Sequence, residues 1–184
     1  MTVPNLITTI RIILAPVFII YLINEQFLSA LVVFLVCVVS DGLDGLLARV
    51  FDQKSRLGTY LDPLADKLLL VAAFVTLGIR GHLPPWLTVL VIARDVLILL
   101  GIFFFFFNNK IFTIKPSIIS KINTCLQFIT VLSALGKEFM TFPSFFYLAV
   151  YYLTALFTIS SGLHYMHFWF KTMGEGDGNQ NNIS

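Results

Sequence analysis

Apolar runs of roughly twenty residues, the length that carries an α-helix across a bilayer, recur six times along this 184-residue chain. No other feature restricts its fold as much. Pro, Gly and polar clusters such as Gly81-His82-Leu83-Pro84-Pro85 and Phe142-Pro143 separate the runs. The expected spans are Thr8 to Ile23, Phe27 to Leu47, Tyr60 to Ile79, Pro85 to Phe107, Ile118 to Leu135 and Ser144 to Phe170. With 58% hydrophobic and only 12% charged residues, against about 25% charged in soluble domains, the chain has lipid as its main solvent. The sequence therefore predicts an all-α integral membrane protein, one six-helix domain over residues 1–173, with a disordered polar tail over residues 174–184.

Charge placement orients the bundle. With the N-terminus inside, Arg11, Arg49, Lys54, Arg56, Lys67, Lys110, Lys115, Lys121 and Lys171 fall on the cytoplasmic side and only Arg80 and Lys137 on the other, Arg94 being set aside as intramembrane. Both termini and the whole Asp41 to Asp66 region are then cytoplasmic. The formal net charge of +2, spread over scattered Lys and Arg, excludes a nucleic-acid partner, which would require a dense basic stripe. Arg11 interrupts the first apolar run and no small-x-small cleavage site follows it, so that run reads as a retained span and not a signal peptide. No Arg-rich, Ser-rich transit segment precedes it, which points to a bacterial inner membrane.

Within this apolar chain stands an acidic cluster: Asp41-Gly-Leu-Asp44-Gly45-Leu-Leu-Ala48-Arg49, then eight residues, Gly58, three residues, Asp62, three more and Asp66. Asp41 and Asp44 are spaced i, i+3 and Asp62 and Asp66 i, i+4, so each pair shares one helix face. A carboxylate within a span costs about 2.5–3.5 kcal/mol or more, and four together repel one another. A pair of hard divalent cations, Mg²⁺ or Mn²⁺, would offset that cost, since such ions favour all-oxygen donor sets. Gly45 and Ala48 follow Asp41 by one and two turns and Gly58 precedes Asp62 by one turn, leaving room for a bulky ligand or for close helix packing. Ion pairing with Arg49, Arg56 and Lys67 would be the purely structural alternative.

The run D-G-x2-A-R-x8-G-x3-D-x3-D, with a further Asp three residues before it, resembles the signature of the CDP-alcohol phosphatidyltransferases and matches it without departure. The resemblance implies a homodimeric membrane enzyme that transfers the phosphatidyl group of CDP-diacylglycerol to an alcohol and releases CMP. It implies that Asp41, Asp44, Asp62 and Asp66 hold the metal ions, and that Asp66 also deprotonates the acceptor hydroxyl. Gly45, Ala48, Arg49 and Gly58 would bind the CDP moiety. Asn5 and Thr8 join them because Pro4-Asn5-Leu6-Ile7-Thr8-Thr9-Ile10-Arg11 is similar to the family's opening segment.

Two further features bear on the acceptor. Arg94-Asp95 is a charged pair inside a span, either a functional feature or a structural ion pair. Lys115-Pro116-Ser117-Ile-Ile-Ser120-Lys121-Ile-Asn123-Thr124-x-x-Gln127 places Ser117, Ser120, Lys121, Thr124 and Gln127 at helical spacings, a row suited to an acceptor's phosphate. These segments resemble the cardiolipin synthase branch of the family, which implies phosphatidylglycerol as the leading acceptor. The phosphatidylglycerophosphate synthases are similar over the same motif, and glycerol 3-phosphate is the alternative. Arg94, Lys115, Ser117, Ser120 and Lys121 are the candidate acceptor residues.

A divalent-cation transporter would also explain intramembrane carboxylates, but not Gly45, Ala48, Arg49 and Gly58 or the one-sided placement of the acids. A catalytically dead subunit would usually have lost an Asp, and none is missing. Phe103 to Phe107 surround a helix and so meet lipid, while His164 and His167 lack a nearby third ligand and read as interfacial anchors. Cys37 and Cys125 sit in apolar runs as small hydrophobes, forming neither a disulfide nor a metal site.

Overall fold

The computed structural model describes the backbone of residues 3–51, 56–107 and 118–177, and side chains within residues 13–40, 67–101, 118–167 and 169. Six α-helices make it up: α1 (Val3–Ile23), α2 (Phe27–Phe51), α3 (Arg56–Ile79), α4 (Pro85–Phe107), α5 (Ile118–Gly136) and α6 (Ser144–Asp177). Proline fixes some of the boundaries that the sequence predicts. Pro85 opens α4, where its missing N–H costs nothing, and Pro143 directly precedes α6. Elsewhere the helices outrun the apolar signal. α1 begins at Val3, α2 continues to Phe51 and α3 starts at Arg56, so the acidic motif is helical on both sides of residues 52–55.

α6 runs through Gly174 to Asp177, the first four residues of the expected polar tail. Extending an existing helix fixes one residue per added hydrogen bond, without the cost of a new nucleus, so polar residues continue it. Residues 178–184 lie outside the described residues.

The chain divides into two units, Met1–Pro85 with Phe128–Pro143, and Trp86–Gln127 with Ser144–Ser184. In the first, α1 packs against both α2 and α3. Its core is apolar: Phe18 and Leu22 of α1, Ala30, Phe34 and Cys37 of α2, and Leu69, Leu70, Ala73, Phe74 and Leu77 of α3 are all buried. The Phe34 ring lies 5.5 Å from Phe18 and 5.8 Å from Phe128, linking α2 to α1 and to the distal half of α5. Around this core Ile13, Ile20, Leu28, Val32, Val36, Val39 and Leu68 remain exposed, an apolar rim far larger than a water-soluble fold carries.

The same unit closes α1 and α3 with matching caps. After α1, Gln26 N–H bonds the Tyr21 carbonyl at 2.9 Å and Glu25 N–H that of Leu22 at 3.1 Å. After α3, His82 N–H bonds Leu77 at 2.9 Å and Gly81 N–H bonds Gly78 at 3.2 Å. Both are Schellman caps with a left-handed residue, Glu25 at φ 59° and Gly81 at φ 76°. Arg80 joins the two ends by donating to the Ile23 carbonyl and pairing with Glu25 at 3.5 Å.

The second unit buries a set of polar residues beside apolar ones such as Leu87, Val91 and Leu126. Arg94 and Asp95 of α4, Asn123 and Gln127 of α5, and Thr154, Thr158 and Ser161 of α6 are buried, while Val89, Leu99, Leu100, Leu153, Leu156, Ile159 and Leu163 are exposed. On α6 the buried positions 147, 151, 154, 155, 158, 161 and 165 follow the helical repeat, so one stripe faces inward and the rest meets apolar surroundings. Gly101 is buried on α4 where the Trp169 indole presses close, and any Cβ there would fall inside the ring. Buried polar residues beneath an exterior that exposes so many large aliphatic side chains fit a lipid surrounding. Among the described residues, α5 and the Ser144–His167 part of α6 are each long and apolar enough to cross a membrane, and shorter apolar stretches occupy Ile13–Ile23, Phe27–Ser40 and Lys67–Ile79.

Candidate active site

The first unit carries the acidic motif on two helices. Asp41, Asp44, Gly45, Ala48 and Arg49 occupy the C-terminal half of α2, and Gly58, Asp62 and Asp66 the N-terminal half of α3. Asn5 and Thr8 lie in the first turns of α1, the helix that packs on both. The helical backbone therefore keeps the i, i+3 and i, i+4 spacings of the two Asp pairs. The side chains of all ten residues lie outside the described residues. As a donor set, four carboxylates on two helices fit a hard divalent ion.

The expected acceptor residues divide differently. Lys115 and Ser117 lie outside the described residues, and Lys121 is exposed. Arg94 and Ser120 are brought together. In the second unit, Arg94 is 3% exposed and its side chain joins three helices. Its Nη1 donates to Asp95 Oδ1 at 2.5 Å, and its Nη2 donates to Ser120 Oγ of α5 at 2.7 Å and to Ser161 Oγ of α6 at 2.6 Å. The guanidinium carbon stands 5.9 Å from the centre of the Tyr165 ring, within cation–π range. Gly162 lies beside the stem, where a Cβ would make ordinary van der Waals contact with Arg94 Cγ at 3.7 Å. Arg94 Nε finds no hydrogen-bond partner among the described residues although it is buried.

Arg94 and Asp95 are thus an ion pair. Adjacent helical residues point about 100° apart, so the contact depends on the length of the arginine side chain curling back. The pair neutralises its own charge in a low-dielectric interior and still leaves the arginine a donor to spare.

A row of amides and hydroxyls runs along α5 from this point. Thr158 Oγ1 lies 2.8 Å from Asn123 Oδ1 and 2.7 Å from the Thr154 carbonyl, and Thr154 Oγ1 reaches the Leu126 carbonyl at 3.5 Å. Gln127 is fully buried, and neither amide atom has a partner among the described residues. The inward row of α5 is therefore Ser120, Asn123 and Gln127, while Thr124 bonds back to the Ser120 carbonyl at 3.1 Å.

Sequence reasoning missed Ser161, Thr158 and Tyr165. The available signal was the small-polar run Thr158-Ile-Ser160-Ser161-Gly162 inside an apolar span. His164 and His167 are exposed, and the described residues contain no group of three His, Cys, Asp or Glu side chains suited to a metal. Cys37 and Cys125 are free. An open groove of about 390 Å³ in the first unit, lined by Glu25, Gln26, Phe27, Ser29, Glu138 and Phe139, contains none of the expected residues.

The model of the CDP-alcohol phosphatidyltransferase family matches residues 1–169. This chain belongs to that family. It is similar to the cardiolipin synthase (CMP-forming) of Homo sapiens, 36% identical over 189 residues, covering 94% of this chain and 63% of the relative. It is also similar to the CDP-diacylglycerol–glycerol-3-phosphate 3-phosphatidyltransferase of Aquifex aeolicus, 36% identical over 135 residues, covering 72% of this chain and 75% of the relative. A cardiolipin synthase (CMP-forming)/mitochondrial hydrolase fusion protein of Schizosaccharomyces pombe is 34% identical over 180 residues, 89% of this chain and 30% of the relative. The chain therefore spans less than two thirds of the length of the human relative. Animal, yeast and bacterial relatives stand together here, and they support a membrane family without selecting the bacterial inner membrane that the sequence suggested.

Proposed function

We propose that this chain transfers the phosphatidyl group of CDP-diacylglycerol to a glycerol-type hydroxyl acceptor, releasing CMP, with phosphatidylglycerol as the leading acceptor. The main support is the similarity to a cardiolipin synthase across 94% of the chain, which takes in the complete Asp41 to Asp66 motif. Glycerol 3-phosphate is the second reading, supported by the Aquifex relative's name and its 36% identity over 72% of this chain.

In this proposal residues 1–173 form the transferase module, its six helices all cross the membrane, both termini are cytoplasmic, and the chain works as a homodimer. Lys and Arg placement supports the orientation. Asp41, Asp44, Asp62 and Asp66 hold one or two Mg²⁺ or Mn²⁺ ions, which when bound neutralise charge on the pyrophosphate and its leaving group. Asn5, Thr8, Gly45, Ala48, Arg49 and Gly58 seat the CDP moiety. Arg94 and Ser120, with Lys115, Ser117 and Lys121, receive the acceptor's phosphate.

Asp66 takes the proton from the acceptor hydroxyl as its oxygen forms a bond to the lipid-side phosphorus. The bond from that phosphorus to the CMP oxygen breaks in line with the attack. Positioning and charge neutralisation suffice for such a transfer, and no covalent intermediate on the protein is needed.

The test is purified protein with CDP-diacylglycerol and either metal, offered phosphatidylglycerol and glycerol 3-phosphate in separate reactions. CMP and cardiolipin are expected from the first. A lipid product from glycerol 3-phosphate alone would overturn the leading acceptor, and metal flux into liposomes without CMP release would favour a transporter.

A further inference from the structure

We infer that Ser161 of α6 is a positioning residue for acceptor binding, acting through Arg94. The inference rests on the reading of Arg94 as an acceptor-binding residue and adds to it the helix that holds the guanidinium in place. An arginine side chain loses much rotamer entropy when it is ordered, so a site that orders it in advance spares a ligand that cost. Here the ordering comes from three helices: Asp95 of α4 on Nη1, and Ser120 of α5 and Ser161 of α6 on Nη2. The two hydroxyl oxygens accept both Nη2 hydrogens, and the fork can no longer rotate about its last bonds.

What remains uncommitted identifies the purpose. A purely structural buried arginine would have its donors consumed, because an unmet donor in a dry interior carries its full desolvation penalty. Arg94 Nε is buried and without a partner among the described residues. The three anchors hold this N–H in one direction with no partner among the described residues, while Asp95 keeps the guanidinium's charge balanced when no acceptor is bound. Ser161 is fully buried and lies 67 positions along the chain from Arg94. It is the only α6 side chain hydrogen-bonded to the guanidinium among the described residues. Without its hydroxyl, Nη2 keeps the Ser120 contact alone, and the fork swings.

The experiment compares wild type, Ser161→Ala, Arg94→Lys and the double variant in purified form, with KM and kcat measured for CDP-diacylglycerol and, in separate arms, for glycerol 3-phosphate and phosphatidylglycerol. Ser161→Ala should raise the acceptor KM about tenfold, the worth of one hydrogen bond to a charged group, and leave the KM for CDP-diacylglycerol within twofold. In the Arg94→Lys background, where the fork is already lost, Ser161→Ala should add less than twofold, because residues acting through one another are not additive. Equal KM rises for donor and acceptor, or full additivity in the double variant, would overturn the inference. If Arg94→Lys raises the acceptor KM and Ser161→Ala does not, the positioning role fails and the acceptor-site reading stands. An unchanged acceptor KM in Arg94→Lys would remove that reading itself. Should Ser161→Ala unfold, Ser120→Ala probes the other Nη2 anchor and must show the same acceptor-only rise, since equal losses for both substrates overturn the role.

Discussion

Thr158 of α6 and Asn123 of α5 meet at 2.8 Å between Thr158 Oγ1 and Asn123 Oδ1, and the same hydroxyl lies 2.7 Å from the Thr154 carbonyl. One hydroxyl carries one proton, so Thr158 donates to only one of these oxygens at a time. If it donates to Thr154, the Asn123 amide turns and donates to Thr158. In both arrangements the hydroxyl ties the two helices. Thr158→Val keeps the shape and removes the tie, leaving Asn123 buried with unmet hydrogen bonds, and should cost roughly 1–2 kcal/mol. Thr158→Ser should stay near wild type. Thermal unfolding of the three proteins in one detergent checks the order.

Gln127 presents the opposite case. Its amide is fully buried and both polar ends lack partners among the described residues. Removing an unmet buried polar group by an apolar side chain of similar volume is neutral or stabilising. Gln127→Met should therefore raise the melting temperature, with about 1 kcal/mol gained. A clear loss of stability would mean that the amide is satisfied by bound water or by a neighbouring chain.

The course of the helices was legible where the chain breaks its own pattern. Pro85 and Pro143 mark the starts of α4 and α6 because proline acts locally. The ends of α2 and α3 were not legible from hydropathy, since a helix continues through Asp44, Arg49 or Asp62 for backbone reasons that polarity does not report. The acidic motif stood out because four carboxylates in an apolar chain are expensive. On α5 the row was read partly out of phase: Ser120 and Gln127 do face inward, but Asn123, not Thr124, lies between them. Ser161 was illegible for a tertiary reason. The small-polar run Thr158-Ile-Ser160-Ser161-Gly162 marks the segment, but which of its hydroxyls matters shows only when folding brings Ser161 to Arg94.

The Arg94–Asp95 pair separates a structural role from a functional one. Asp95→Leu alone leaves a buried charge without its counter-ion and should destabilise by about 3–5 kcal/mol. Arg94→Met together with Asp95→Leu removes both charges, and apolar replacement of a buried pair is often neutral. The double variant should melt close to wild type and still lose acceptor binding. If it melts close to wild type and turns over normally, the pair serves no part of the reaction.

Gly101 is held small by Trp169. A Cβ at position 101 would occupy the space of the indole, so Gly101→Ala should cost about 1–3 kcal/mol by overpacking. Trp169→Leu should relieve most of that penalty when the two changes are combined. The double-mutant cycle, read by thermal unfolding, distinguishes a direct clash from an unrelated loss of α4 stability.

Asp66 is the residue on which the proposed chemistry turns. It lies on α3 one helical turn beyond Asp62, and the proposal gives it two tasks, metal ligation and proton removal. Asp66→Asn keeps size and an oxygen donor but cannot accept the hydroxyl proton as a carboxylate does. Loss of a general base costs about 10²–10⁴ in rate, so turnover should fall by at least a hundredfold while CDP-diacylglycerol binding, measured by CDP-analogue displacement, stays within a few-fold. Chelating the divalent metal should abolish turnover in wild type, and re-addition of Mg²⁺ or Mn²⁺ should restore it. Near-normal turnover in Asp66→Asn would assign the proton to another group, and equal loss of binding and turnover would leave Asp66 as a ligand only.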